Sequence, residues 1–452
     1  MQPLLRFDRA LRGLATLAAI GIGVPPISVS AQVPATAPAA VEREALTLGA
    51  VYRGLQAANP RLAAAGAQAR AAAARIGPAR TLPDPQLQLG LMNRNFPGFG
   101  LSDPLGMNQI QVMQMVPFPG KLGLAGRVAS EQAEAQRART ADVAWDVRAQ
   151  AAMAYYEIYQ MDQSLDVARE TLRLLRDLAE TARTMYAVGE GRQADVLRAQ
   201  VEIARMEEEI TRMEVERVSA AARLNALLAR AADAPVGSVV LPAFPAALPP
   251  LDSLVAEAQA RRPMVKAGEA EVRAADAGLR LARREIWPDF EVGVQYGQRP
   301  MEGGTTDRMV SLMVGVNVPI FAGSRQLAMR REAEAMRQMA AADLEAMRAD
   351  TRGRVAELHA AVQRSQRLAV LYHKTILPQA ETTVASALAA YRVGGVDFMT
   401  LLDNQMTVNR YRQDLYTLEA EQGQALAELE MLLGRALLDP DSTVLASGGK
   451  TK

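Results

Sequence analysis

The chain has 452 residues, no cysteine, two histidines, and 51 basic against 50 acidic side chains. No disulfide scaffold, zinc–cysteine centre or thiol nucleophile can be built from it, and a formal net charge of +1 offers no footprint for nucleic acid. Alanine, the strongest helix former, makes up about a fifth of the chain and aromatics only 4%, which predicts long helices packed through small side chains rather than a thick core.

The N-terminus reads as an address. Arg6, Arg9 and Arg12 precede an apolar run from Leu14 to Val24, then Pro25-Pro26, and Val29-Ser30-Ala31 with Gln32 after it. This predicts a secretory signal peptide over residues 1–31. The apolar run is too short and too broken by proline to cross about 30 Å of hydrocarbon. No other stretch reads as a transmembrane helix, so an exported chain held together without disulfides is expected.

From there one unit is written twice. Asn59-Pro60-Arg61-Leu62 to Leu82-Pro83-Asp84 matches Arg262-Pro263-Met264-Val265 to Trp287-Pro288-Asp289. Val116-Pro117 before Gly120 matches Val318-Pro319 before Gly323, and Tyr186-Ala187-Val188-Gly189 matches Tyr391-Arg392-Val393-Gly394. Such a near-constant offset predicts a first repeat over 32–233, a Pro/Gly-rich linker over 234–250, a second repeat over 251–437 and a tail over 438–452. A short strand is expected at Ser238-Val239-Val240 in the linker.

Each repeat reads as helix, two strands, very long helix, tight turn, long helix. Lys121 to Tyr186 predicts roughly 100 Å of unbroken helix, and Ser324 to Tyr391 one about as long, kinked at Pro378. Heptad-spaced Leu165, Leu172, Leu175, Ala182 and Met185, and the pairs Met206/Met213 and Met329/Met336, predict apolar seams against neighbouring helices. The hairpin tips fall near 187–192 and 392–397.

The strands, at about 85–93, 108–117, 289–298 and 308–319, change the period from 3.6 to 2. Phe290, Val292, Val294 and Tyr296 alternate with Glu291, Gly293, Gln295 and Gly297, and Val310, Leu312, Val314, Val316 and Val318 with Met309, Ser311, Met313, Gly315 and Asn317. Leu87, Leu89 and Leu91 do the same, and the second strand is less clean because Gln114 falls on the Ile110/Val112 face. About ten residues per strand, apolar on one side only, is the pattern of a tilted strand crossing a bilayer. Gln86, Gln88, Met113, Met115, Glu291, Gln295, Met309, Met313 and Asn317 are then the lumen-facing residues. A soluble sheet with one buried face is the competing reading. Four strands leave open edges, which a bilayer forbids, so several protomers would have to pool them. Gly/Pro-rich loops are expected at Asn95–Gly100 and Pro300–Gly304.

Val116-Pro117-Phe118-Pro119-Gly120-Lys121 and Tyr391-Arg392-Val393-Gly394-Gly395-Val396-Asp397-Phe398-Met399-Thr400-Leu401-Leu402-Asp403 resemble the TolC family of outer-membrane efflux proteins over essentially the whole chain after the signal peptide. Phe118–Lys121 and Ile376–Glu381 look more like its heavy-metal (CzcC-like and CusC-like) branch. The resemblance implies a homotrimer: a shared twelve-stranded β-barrel in the outer membrane of a Gram-negative bacterium, above an α-helical barrel crossing the periplasm. It also implies a periplasmic adaptor protein and an inner-membrane pump of the RND type as partners. The expected function is a passive exit duct for small solutes, metal cations or drugs. An outlet for type I protein secretion is the alternative, with a periplasmic adaptor or a structural coiled-coil protein behind it. The missing cysteine removes the lipid anchor that drug-efflux members carry.

The resemblance places a gating aspartate at Asp403 and a second on Thr400, where this chain has no carboxylate; Asp195 holds the matching place in the first repeat. Carboxylate rings where helices converge select cations, although each of these could equally be a solvated helix residue. Val188, Gly189, Val393 and Gly394 are the expected adaptor contacts, or the glycines serve only the turns. No enzyme, cofactor or nucleic-acid partner is expected. His359 and His373 lie about 21 Å apart along one helix and cannot share a metal within a protomer. Met113/Met115 and Met309/Met313 could offer thioethers to Cu(I), or only fill space.

Overall fold

A computed structural model describes residues 46–92, 106–300 and 305–441. The signal peptide expected over 1–31, the loop expected at 95–100, residues 301–304 of the second expected loop and most of the tail lie outside them. The first half holds α1 (Leu48–Ala58), α2 (Pro60–Ala74), α3 (Ile76–Arg80), β1 (Gln86–Met92), β2 (Met107–Val116), α4 (Lys121–Ala187) and α5 (Gln193–Leu227). The second holds α6 (Leu251–Arg261), α7 (Pro263–Arg284), β3 (Asp289–Pro300), β4 (Thr306–Asn317), α8 (Gln326–Leu371), a π-turn (Tyr372–Ile376), α9 (Leu377–Arg392) and α10 (Phe398–Leu433). Long helical hairpins thus carry a single antiparallel sheet in the order β1-β2-β3-β4.

Local chemistry sets the element ends. Pro60 and Pro263 sit in the first helical turn, where no amide bond is lost. Asn59 caps α2 by accepting from the amides of Arg61 (2.8 Å) and Leu62 (3.3 Å), while its Nδ2 donates to the Leu227 carbonyl at 2.7 Å. The anticipated kink at Pro378 takes a specific form. The π-turn immediately precedes it, and its wider loop absorbs the amide that proline cannot donate. The strand expected at 238–240 is reduced to one parallel bridge between Val239 and Leu46.

The long helices form a layer: α5 packs on α4, α4 on α10, and α10 on α9 and α8. Alanine permits the close approach. Ala133, Ala151, Ala152, Ala168 and Ala182 of α4 are all fully enclosed. Toward the tips, Leu165, Leu175, Met206, Met213, Phe398 and Leu401 form one buried cluster; Tyr155, Tyr156, Ile158 and Leu224 anchor another nearer the sheet. Met329 and Met336 depart from the expected seam. They are 43% and 49% exposed, because their stripe lines an open groove with Gly278, Leu281 and Ala282 of α7 instead of closing a seam. Among the described residues no helix is long and apolar enough to cross a membrane.

Candidate functional site: sheet wall, corner and hairpin tips

The strand register sorts the sheet into two chemistries. Gln86 pairs with Met113, Met115 with Glu291, Gln111 with Gln295, Gly293 with Met313 and Asp289 with Asn317. Alternation then puts all nine expected lumen residues, Gln86, Gln88, Met113, Met115, Glu291, Gln295, Met309, Met313 and Asn317, on one face. The other face is apolar and bare: Leu89 is 73% exposed, Val310 74% and Leu312 73%. Gln114 sits on that apolar face, where its Nε2 donates to the carbonyls of Pro83 and Met115. Among the described residues both edge strands, β1 and β4, lack an outer neighbour.

The corner between sheet and helices is built by residues whose chemistry the sequence reading passed over. Gly120 takes φ +91°, a left-handed conformation that favours glycine, and turns β2 into α4. Lys121 is buried there; its Nζ donates to Asp289 Oδ1 at 2.9 Å and to the Trp287 carbonyl at 3.0 Å, with Glu285 Oε2 at 3.4 Å. Asp289 Oδ1 also accepts from the Phe118 amide at 2.8 Å, and Phe118 stacks on Trp287 with centroids 5.1 Å apart. The signal was present, since both Phe118–Lys121 and Trp287–Asp289 mark the repeats. Among the described residues the corner of the second half has no such partner: Val318, Ile320 and Phe321 are 60%, 78% and 71% exposed.

The two tips share one hydrogen-bond pattern. The Gly189 amide donates to the Tyr186 carbonyl and the Gly394 amide to Tyr391, both at 3.0 Å; Glu190 bonds back to Met185 and Gly395 to Ala390. Gly189 and Gly394 have φ of +82° and +72°, and a Cβ on either would meet nothing within 4 Å. The turn therefore requires these glycines, and open space lies around them. Val188 and Val393 project from the same turns, 66% and 82% exposed.

The three candidate gate residues do not share one environment. Asp403 is exposed on α10, on the face that also carries Thr400, Thr407 and Arg410, and its carboxylate has no partner among the described residues. Thr400 is committed to the helix start: its amide (3.2 Å) and its hydroxyl both donate to the capping Asp397, whose carboxyl these bonds hold below its usual range. Asp195 is half-buried in the first turn of α5, a place where the helix dipole favours a carboxylate. Burial, and secondarily the charge of Asp195, push the Tyr391 phenol up. Tyr391 packs against Phe398 with its hydroxyl unpartnered, whereas Tyr186, its counterpart in the first half, is exposed.

The histidines stay apart. His359 Nε2 lies 3.4 Å from Gln363 and His373 Nε2 3.3 Å from Glu419 Oε1. No group of three or more His, Cys, Asp or Glu among the described residues could hold a metal ion.

Comparison with known proteins agrees with this layout. The outer membrane efflux protein family model matches the chain over residues 51–230 and again over 254–435. The chain is 28% identical to the pyoverdine export outer membrane protein OpmQ of Pseudomonas putida over 186 residues, 39% of this chain and only 38% of that protein. It is 24% identical over 400 residues to the cobalt-zinc-cadmium resistance protein CzcC of Cupriavidus metallidurans, covering 86% of this chain and 90% of that one. The solved structure of CusC superposes with a TM-score of 0.74 at 18% identity, over 86% of this chain and 92% of CusC, and so shares its fold. The chain belongs to the TolC family of outer membrane efflux proteins.

Proposed function

We propose that this protein is the exit duct of a tripartite efflux system, passively conducting small solutes from an inner-membrane RND-type pump and a periplasmic adaptor to the exterior. The observation that carries this reading is the four-stranded sheet, bare and apolar on one face and polar on the other, with both edges open. Water cannot stabilise that apolar face, and lipid cannot tolerate those edges. Lipid against the apolar face and further copies of the chain on the edges satisfy both. Three copies make twelve strands, within the range of membrane barrels.

The helical layer has the same logic. Its flanks, α5 on one side and α8–α9 on the other, leave apolar residues exposed, among them Val215, Val218, Met336 and Met339. A ring of three such layers closes a tunnel with the tips at its far end, where Val188 and Val393 meet the adaptor. In this reading the two halves are copies of one hairpin unit, the signal peptide exports the chain, and no catalytic step is needed. The likeness to CzcC supports metal cations among the solutes.

Asp403 supplies the tip carboxylate ring, because among the three candidates only its carboxylate is exposed and uncommitted. The test is fractionation and single-channel recording. The wild type is expected as a heat-modifiable trimer in outer-membrane fractions, with Asp403→Ala raising conductance and weakening block by multivalent cations. A protein soluble in the periplasm would overturn the duct, and unchanged conductance and block in Asp403→Ala would remove this residue from the gate.

A further inference from the structure

The polar side of the sheet carries a pattern that a plain conduit does not need. By register it holds Met92, Met107, Met113, Met115, Met309 and Met313, and every other paired residue on it is polar, charged or glycine. The opposite face carries leucine, isoleucine, valine, phenylalanine and tyrosine, interrupted by Asn108, Gln114, Gln298, Thr306 and Arg308, and no paired methionine at all. Methionine chosen only as a flexible filler would serve on either face. Its complete segregation to the wet face, as the sole apolar type there, points to the sulfur rather than to bulk.

Geometry picks out one pair. Met113, Gly293 and Met313 are register partners across β2, β3 and β4. A Cβ placed on Gly293 would lie 3.2 Å from Met113 Cγ and 3.6 Å from Met313 Cε. The two side chains therefore converge over the glycine from opposite sides, and any larger residue at 293 would hold them apart. In the adjacent row Met115 is 38% exposed and faces Glu291. Thioethers are soft ligands that select Cu(I) over the hard divalent cations.

We propose that Met113 and Met313, leaning over Gly293, form a binding site for a soft monovalent d10 cation, Cu(I) or Ag(I), on the duct wall, with Met115 as the next step along it. The proposal rests on the reading of this face as the lumen. Two neutral thioethers make a weak, exchangeable site, which a conduction path requires, since an ion must both enter and leave.

The test uses the full-length trimer in detergent, labelled with 13C at the methionine methyls and titrated with Ag(I) in chloride-free buffer. The Met113 and Met313 resonances are expected to shift with Ag(I) and not with Zn(II). Met113→Leu/Met313→Leu, which conserves volume, is expected to weaken Ag(I) binding at least tenfold. Met336→Leu/Met339→Leu on α8 is expected to leave it unchanged. Unmoved lumen resonances, or equally tight binding by the lumen double variant, overturn the proposal. Conductance of the same samples in planar bilayers separates the two readings. An open channel with no silver response sinks the thioether site alone. Silver shifts at Met113 and Met313 in a protein that forms no channel uphold the site and sink the duct.

Discussion

At the scale of single residues, the corner at Lys121 is the most consequential arrangement. A buried ammonium is tolerated only because Asp289, Glu285 and the Trp287 carbonyl surround it. Removing the principal anion leaves that charge stranded, so Asp289→Ala is expected to cost about 3 kcal/mol, read as a lowered thermal unfolding midpoint by circular dichroism. Glu430 is a second buried charge, accepting from the amides of Leu437 (2.6 Å) and Leu438 (2.9 Å) where the chain leaves α10. Arg148, stacked 3.6 Å over the Tyr52 ring, lies 3.5 Å from its carboxylate. Burial dominates and pushes the Glu430 carboxyl above its usual 4.5. A raised carboxyl makes the folded state bind its proton more tightly than the unfolded chain does. Stability from this group therefore grows as pH falls through the raised value and is lost as pH rises. Lowering the pH from neutrality toward the usual carboxylate range should raise the unfolding midpoint of the wild type relative to Glu430→Gln; parallel pH profiles would overturn this.

At the scale of elements, close helix packing depends on small residues at particular crossings. Gly423 of α10 lies flat against the fully buried ring of Tyr156 on α4, where an added Cβ would overlap the ring itself. Alanine gains about 1 kcal/mol in helix propensity over glycine, but overpacking a ring that cannot move costs roughly 1–3 kcal/mol. Gly423→Ala is therefore expected to be net destabilising, while alanine at Gly353, which meets nothing within 4 Å, is expected to stabilise; denaturant midpoints of the two variants check the contrast. The π-turn before Pro378 belongs to this scale as well. Proline announced a disturbance in the second long helix, yet its form depended on how α8 and α9 both stay seated on α10.

At the scale of the whole molecule, the repeat predicts its own completion. The first corner is closed by Trp287 and Asp289 of the second half, while the second corner, with Ile320 and Phe321, is bare. Leu82 and Asp84 hold the places of Trp287 and Asp289 in the first half, and Arg325 follows Gly323 much as Lys121 follows Gly120. Neither Asp84 nor Arg325 has an ion-pair partner among the described residues, and both are exposed. In the proposed ring, the next copy is expected to bring its Asp84 to this Arg325. If the proposed trimer forms this way, Asp84→Arg is expected to weaken it and Asp84→Arg/Arg325→Asp to restore it in part, as measured by native mass spectrometry. A double variant no better than the single one would deny the pairing.

Much of this protein was readable along the chain. Period-2 alternation from Phe290 to Tyr296 and from Val310 to Val316 marked the strands, because a strand buries or bares every second residue whatever its neighbours are. Tyr186–Gly189 and Tyr391–Gly394 marked the tips, because a left-handed turn needs glycine wherever it occurs. Other features depend on residues far apart in sequence, and no local pattern could supply them. Tertiary structure alone showed that Lys121 is held by Asp289, that Asp195 approaches Tyr391 while Asp403 stands open, and that Met113 and Met313 meet over Gly293. It also left the Met329/Met336 stripe on an open groove beside α7, since heptad spacing specifies that an apolar stripe exists and not how closely a neighbour closes on it. The alanine surplus and the lack of cysteine determined a tightly packed helical protein without covalent staples. Which helix packs on which, and which edges stay open, was decided by contacts across more than 150 residues of chain, as between Phe118 and Asp289.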